Sequence, residues 1–572
     1  MRNYAYEVAL KNRSDLQQFG GNALALFALQ LFFQIEDVTT IGADDSIVDG
    51  PDDGGLDIVY INRKGRYAVV SQNYMAIKKK YPPSAKVRDL SSGLTLLLKS
   101  PIGKVPLRLQ SAAKDIRSAI KNREIQKIHI WFVHNCPGSV NVKSELEVVE
   151  STAHSLLKND EIECSSCEIS ADEIEKTYTN ITTHIKVKDK FKVPISDGVS
   201  MNGNNWKAFI TSVPLYWLFD LFKKYEDRLF TANVRDYLGV SKKSIKNINN
   251  GIKETATNDP DHFWVFNNGI TVLVNSFKKN KKELNISGFS ILNGAQTTGA
   301  IGNLIETPDK KAWVQVRFVQ CSHKQTIDDI KKFNNSQNKI EPSDYKSSDQ
   351  IQNRLEQEFI KTDVHYLPRR GGTEDLIKRK PNTLQSILAG QILAAFHQRP
   401  DIAYHQKTKI WEDDSLYREY FNTSLNAKNL IFVYSLFEAV KNRKLLLVKK
   451  SKLSELSKTE KEQLQFFQTR GSIFLFTSAL ANCLEIILDR PISNPSRLHF
   501  NNKLSFGEMV KAWTSIVNAG CYSVSRLNIG FSDGAVREHP AKTAIKDFTD
   551  FIGATREVNK QIYSDFSKKT DQ

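Results

Sequence analysis

Residues 49–74 read DGPDDGGLDIVYINRKGRYAVVSQNY, and this stretch decides the class of the first folding unit. A Gly-rich acidic turn, Asp49-Gly50-Pro51-Asp52-Asp53-Gly54-Gly55, delivers Asp57 to a run rich in β-branched and aromatic residues, Leu56–Ile61. A second such run, Arg66–Ser71, follows Asn62-Arg63-Lys64-Gly65, whose composition suits a tight turn. Two strand-forming runs joined by turn residues predict a hairpin. Outward from it, Leu16–Glu36 is strongly apolar with helical periodicity and is entered by Ser14-Asp15. On the other side Lys86–Leu98 and Ala112–Lys121 predict helices, and Lys127–His134 predicts a buried strand. Helix, hairpin, helices and a returning strand make an α/β unit.

An Asp at the head of one hairpin strand and a polar triplet on the next resembles the PD-(D/E)xK nucleases. The resemblance implies a restriction-endonuclease-like α/β fold. In that family Asp and a Glu or Gln hold Mg²⁺ or Mn²⁺, and a Lys two positions on orients the attacking water. In Mrr-like members the second strand ends Gln-x-Lys. Two registers compete here. Aligned by the apolar run, Ser71 falls on the Glu/Gln position and Asn73 on the Lys position; moved by one residue, Gln72 becomes the ligand and Tyr74 takes the Lys position. A β-bulge retains Gln72 as a ligand. On that reading Asp57 and Gln72 are the metal ligands, and Asp57, Gln72 and Lys78 the catalytic set. The bland alternative is that Asp52, Asp53 and Asp57 only shape a surface turn.

Charge adds a second argument. The 572 residues hold 80 Lys and Arg against 64 Asp and Glu, a net charge of +16 that favours polyanionic partners. From Lys78 to Lys127 there are 13 basic residues against three acids, Asp89, Asp115 and Glu124, so this stretch carries most of the excess. Its position after a nuclease-like hairpin points to a phosphate-backbone track for DNA or RNA, with Lys79, Lys80, Lys86, Arg88, Lys104 and Arg108 as contacts. The loop residues Arg369 and Arg370 form a secondary candidate.

Other classes fall away. Ala23–Ile35 and Ser472–Leu488 are too short or too polar for membrane spans. The N-terminus lacks a signal pattern and six Cys do not make a disulfide framework, so a reducing cytoplasm is the expected setting. Cys164 and Cys167 lack the second pair that a zinc ribbon needs. No metallohydrolase His pair, phosphate loop or nucleophile elbow occurs.

Beyond Val193-Pro194-Ile195 a second unit carries Asn/Gly turns next to strand candidates Phe263–Asn275, Gly288–Leu292 and Trp313–Gln320. Four motifs follow in order: Asn233-Val234-Arg235-Asp236-Tyr237-Leu238-Gly239, Phe266-Asn267-Asn268-Gly269-Ile270-Thr271, Asn293-Gly294-Ala295-Gln296-Thr297, and Asn334-Asn335-Ser336-Gln337-Asn338-Lys339-Ile340. Together with Asp53-Gly54-Gly55-Leu56-Asp57 they resemble the abortive infection phage resistance (AIPR) family over roughly residues 15–430. The resemblance implies an anti-phage protein with a nuclease-like first domain and an α+β AIPR core. It also implies a polar pocket drawn from Asn233, Arg235, Asn267, Asn268, Gly269, Asn293, Gly294, Gln296, Thr297, Asn334, Gln337 and Asn338. The last two motifs are similar to the DGQHR proteins as well, except that Thr297-Thr298 stand where those have His-Arg. Arg235 and Arg317 are the cations that can substitute for it.

From about Pro381 the chain predicts bundle helices at Thr383–His397, Ala427–Val440, Ser472–Leu488 and Phe506–Asn518, with Lys441–Lys461 as a basic connector. The expected architecture is therefore a mixed α/β protein with a nuclease-like domain over 1–195, an AIPR core over 196–380 and a helical region over 381–572. The expected function is a phage-defence effector that binds nucleic acid and cleaves it with a divalent ion. The rival is an inactive nuclease fold kept as a nucleic-acid or nucleotide sensor. A phage-derived trigger and a homo-oligomer are expected partners of either, and a membrane is not.

Overall fold

A computed structural model describes residues 4–35, 38–42, 46–50, 53–77, 81–157, 162–182, 185, 187–230, 251–323, 326–327, 330, 346, 349–368, 379–501 and 504–572. Ala5–Lys11 is α1. The apolar stretch after it breaks at Gly20-Gly21, poor helix formers, and resumes as α2, Ala23–Phe33, ten of whose eleven residues are buried. A helix apolar on every side must be covered on every side.

The hairpin forms as β1 (Ile58–Asn62) and β2 (Tyr67–Tyr74), antiparallel. Helices α3 (Ser84–Leu98) and α4 (Leu107–Lys121) then carry the chain to β3 (Lys127–His134), which lies parallel to β2. Helix α5 (Val140–Leu157) leads to β4 (Glu163–Ile169), parallel to β3, and α6 (Ala171–Thr182) closes the unit. The sheet order is β1-β2-β3-β4. Strand alternation divides the side chains. Ala68, Val70, Ile130 and Phe132 pack with Leu90, Ile116 and Leu146 of α3–α5, whereas Tyr67, Val69, Trp131 and Val133 pack on the other face. There Phe33 stacks on Trp131 at 5.2 Å.

The second sheet is larger. It contains β5 (Val187–Pro194), β6 (Val199–Asn202), β7 (Trp206–Pro214), β8 (Ile270–Val274), β9 (Ser276–Asn280), β10 (Glu283–Asn293) and β11 (Trp313–Cys321). Its order is β5-β10-β8-β11-β7-β6, with β9 also on β10. Helices α7 (Leu215–Tyr225) and α8 (Ala295–Gly302) cover a core of Leu218, Val272, Ile286, Ile301 and Phe318. Val187–Pro194, which the sequence reading places before the boundary at 195, pairs with β10, so it is the first strand of this sheet. Phe263–Phe266 is a helical turn and not strand, and Trp264, Val265 and Phe266 are exposed. A short apolar run does not by itself separate the two conformations.

Among the helices of the last region are α9 (Gln350–Phe359), α10 (Ser386–Phe396), α11 (Ala427–Lys452), α12 (Ser472–Asn482), α13 (Phe506–Cys521), α14 (Glu538–Ala554) and α15 (Lys560–Ser567). Helix α11 continues through the expected connector as far as Lys452. Lys, Leu and Arg are good helix formers, and Lys441 pairs with Glu438 at 2.5 Å. One apolar cluster joins Phe27, Phe32 and Trp131 of the first unit to Leu393, Phe432, Phe474, Trp513 and Phe566 of this region. The first unit and the helical region thus share a core, and the second sheet has its own.

A buried ionic contact locks the shared interface. Asp115 on α4 is fully buried and bonded to Arg63 (2.5 Å), to Arg470 of the helical region (3.1 Å) and to the Tyr404 hydroxyl (3.2 Å). Arg470 also donates to the carbonyl of Val59 in β1.

Candidate functional site

The acidic turn ends in a compact corner beside the hairpin. Carboxylate oxygens of Asp49, Asp53 and Asp57 lie within 4.8 Å of one another, each side chain partly buried. Local hydrogen bonds fix the turn. Asp53 accepts from the N–H groups of Gly55 (2.7 Å) and Gly50 (3.2 Å), and Arg108 donates to the Asp49 carbonyl. Leu56 anchors it against α3 at Gly93, where a Cβ would come 2.6 Å from Leu56 Cγ and 2.7 Å from the Gly54 carbonyl. Gly93→Ala should therefore cost about 1–3 kcal/mol by overpacking. The check is a lowered denaturant midpoint.

The hairpin register decides which second-strand residues meet Asp57. Ile58 pairs with Ser71, and the Asp57 N–H also donates to the Ser71 carbonyl (2.8 Å). Two residues thus face one, a bulge at Asp57. The Asn73 N–H donates to Asp57 Oδ2 (2.6 Å), Ser71 Oγ donates to Asn73 Oδ1 (3.0 Å), and the Asn73 amide donates to Asn22 (2.7 Å). Asn22 at the head of α2 in turn donates to Asp49 (2.8 Å). Ser71 and Asn73 are therefore the residues hydrogen-bonded into the corner. Gln72 alternates to the face of Ala68 and Val70, where its buried Oε1 has no hydrogen-bond partner among the described residues. The bulge falls on the first strand, not on the second where it would have kept Gln72 in the site.

Lys452, the last residue of α11, reaches Asp49 Oδ2 at 3.0 Å from 403 residues away. It brings the corner an ammonium that strand β2 lacks. Asp49 and Asp57 consequently titrate apart. Burial alone would raise Asp49, but the Lys452 ammonium and the Asn22 amide outweigh it and hold the carboxyl below its ordinary range. Burial, then the charges of Asp49 and Asp53, push Asp57 up to about 7 against the opposing Asn73 N–H. Three carboxylates in a corner still reached by water are the donor set that hard divalent ions such as Mg²⁺ and Mn²⁺ take.

The basic track is partly structural. Arg88 pairs with Glu145 (3.8 Å), and Arg117 donates to the carbonyls of Leu97 and Leu96 (each 2.8 Å). Arg108 is committed to the acidic turn, whereas Lys86 and Lys104 are exposed, Lys86 sitting 5.7 Å over the Tyr74 ring. Asp52, Lys78, Lys79, Lys80, Arg369 and Arg370 lie outside the described residues.

In the second unit the register brings two of the Asn/Gly turns together. Asn293 pairs with Thr271, and a Cβ on Gly294 would lie 3.2 Å from the Gly269 carbonyl. Gly294 adopts φ 97°, which excludes most other residues at the turn into α8. Asn267 donates to the Phe263 carbonyl (3.0 Å), and Thr298 to the Gly294 carbonyl (3.0 Å). Asn268 lies in the first of these turns, Gln296 and Thr297 are in the first turn of α8, and Arg317 is exposed beside Thr271. Asn233, Arg235, Asn334, Gln337 and Asn338 lie outside the described residues.

Sequence reasoning quoted Asp49 and Asp53 without assigning them as ligands, and it missed Asn22 and Lys452. The acidic turn signalled the first two; nothing in the sequence links Lys452 to the corner. Among the described residues no helix is long and apolar enough to cross a membrane. No curated protein and no solved structure matches the chain. Residues 230–494 match the family model described as AIPR protein, a match that supports an AIPR-family protein.

Proposed function

We propose that this AIPR-family protein defends against phage by binding nucleic acid across its first unit and setting a divalent cation, held by Asp49, Asp53 and Asp57, against a phosphate. The match of residues 230–494 to the AIPR family model supports the role in abortive infection. The observation that carries the rest is the convergence of the three carboxylates within 4.8 Å. A bound Mg²⁺ or Mn²⁺ supplies charge neutralisation at the phosphate and an acidified water. The chain's own residues do the remaining work. Asp57 gives up its proton to become a ligand, Asn73 N–H and Asn22 hold the acids in place, Lys452 offsets the charge on Asp49, and exposed Lys86 and Lys104 face the backbone. The six free thiols suit a reducing cytoplasm as the place of action.

A second reading rests on one specific observation. The Ser71 hydroxyl and the Asn73 amide bond each other and Asn22, and neither side chain is a base. On that reading the corner binds the ion and the strand without cutting, and the protein is a sensor.

The test is Mn²⁺ titration by calorimetry, run beside incubation with labelled single- and double-stranded DNA and RNA. With an Asp57 proton near pH 7 competing with the metal, affinity should fall about 100-fold between pH 8 and pH 5. Cutting that needs Mn²⁺ and vanishes in Asp57→Asn supports the hydrolase; Mn²⁺ binding without cutting supports the sensor. No Mn²⁺ binding at pH 8 sinks both.

A further inference from the structure

The outer face of the second sheet carries lysines where the register lines them up. Strand β5 carries a lysine at every second position of Val187-Lys188-Asp189-Lys190-Phe191-Lys192-Val193; Asp189 between them accepts from the Tyr225 hydroxyl, and the pairing with β10 shifts register between Lys190 and Val187. Phe191 and Val193 turn into the core with Ile286 and Leu284 of β10 and Phe277 of β9, so Lys188, Lys190 and Lys192 point outward. The same pairing aligns Lys192, Asn285 and Lys278 in one row and Lys190, Ser287 and Ser276 in the next. All four lysines are exposed, and none forms an ion pair among the described residues. Glu283 is the single acid on this face of the three strands.

We propose that this three-stranded face is a second nucleic-acid surface, one that tracks the backbone of a single strand. The charge complementarity is one-sided and concentrated. Lysines two residues apart on β5 stand about 6.6–6.8 Å from each other, a step close to the interval between successive phosphates of an extended strand. Lys278 lies two strand spacings away, about 9.6 Å, so the face is wide enough for one strand and too narrow to follow both backbones of a duplex. Asn285 and Ser287 between the lysine rows offer donors and acceptors to sugar and base edges, and the face presents no aromatic ring, so its binding is independent of sequence. This surface goes beyond the proposed metal corner and does not depend on it.

The experiment measures the salt dependence of binding of a fluorescent oligo-dT by the full chain and by a Lys188→Ala, Lys190→Ala, Lys192→Ala, Lys278→Ala variant. Exposed, unpaired lysines should be replaceable with little effect on stability, which circular dichroism verifies. Four lost single-strand contacts should lower the slope of log affinity against log salt by about 3, with binding about tenfold or more weaker at 0.1 M salt. Lys86→Glu with Lys104→Glu, in the first unit, reports separately on that surface. An unchanged slope in the quadruple variant overturns the proposal and leaves the lysines as a solvated edge, whatever the first-unit variant does. Equal loss for a DNA duplex overturns the single-strand assignment, and polyglutamate competing as well as oligo-dT overturns nucleic acid as the partner.

Discussion

Asp115→Ala should destabilise the protein by about 3–5 kcal/mol, because it removes the buried carboxylate that Arg470 shares with Arg63 and leaves Arg63 only Glu124. Asp115 is fully exclosed from water, and Arg63 and Arg470 approach it from opposite sides of the interface between the first unit and the helical region. Burial by itself would raise this carboxyl; Arg63 first, then Arg470, outweigh it and hold it below the usual range. The sign of the pH dependence follows. A depressed folded-state value means the stabilisation is present above the unfolded-state pKa, about 3.9, and is lost as pH falls through the folded value. The measurement is the urea midpoint at pH 7, with Asp115→Asn as the milder partner that keeps an acceptor for one guanidinium. A midpoint in Asp115→Ala within experimental error of wild type would show that the triad contributes nothing to the interface.

Asp57→Asn should do the opposite to stability while removing metal binding. The folded-state value near 7 means the folded protein prefers the protonated acid. Stability is therefore complete below about pH 4, declines as pH rises toward 7 and stays reduced above it. Asn keeps an acceptor for the Asn73 N–H and carries no charge, so the variant should gain on the order of 2 kcal/mol at pH 8, less than the full shift because the carboxyl is still partly reached by water. The gain should vanish near pH 4. Saturating Mn²⁺ should stabilise wild type at pH 8 and leave the variant unchanged. A variant less stable than wild type at pH 8 would mean that the acid is held for structure and not for a ligand.

How far these features could be read in advance varies with the range of the contact. Lys127–His134 is the strand predicted, and the hairpin matches within a few residues, because period-two runs bounded by turn residues are local signals. The α/β first unit and helical last region followed from the same kind of pattern. Phe263–Phe266 and the end of α11 were not legible, since apolar and lysine-rich stretches take either conformation until tertiary packing chooses. Between the two candidate registers, the bulge at Asp57 favours Ser71 and Asn73, a choice that depends on one backbone hydrogen bond. The meeting of Lys452 with Asp49 spans 403 residues and leaves no local trace.

The core shared by Phe32 near one end of the chain and Phe566 near the other has a consequence for how the protein is made. A ribosome adding about 5–20 residues per second takes roughly half a minute to two minutes to travel between them. Throughout that interval α2 can pack against α1, β3 and α6 of its own unit, and the rest of the shared cluster forms later. The second sheet, with its own core, can fold during the wait. The buried Asp115 of the first unit likewise waits for Arg470, so a truncation before that residue leaves the ionic contact at the shared interface unfinished.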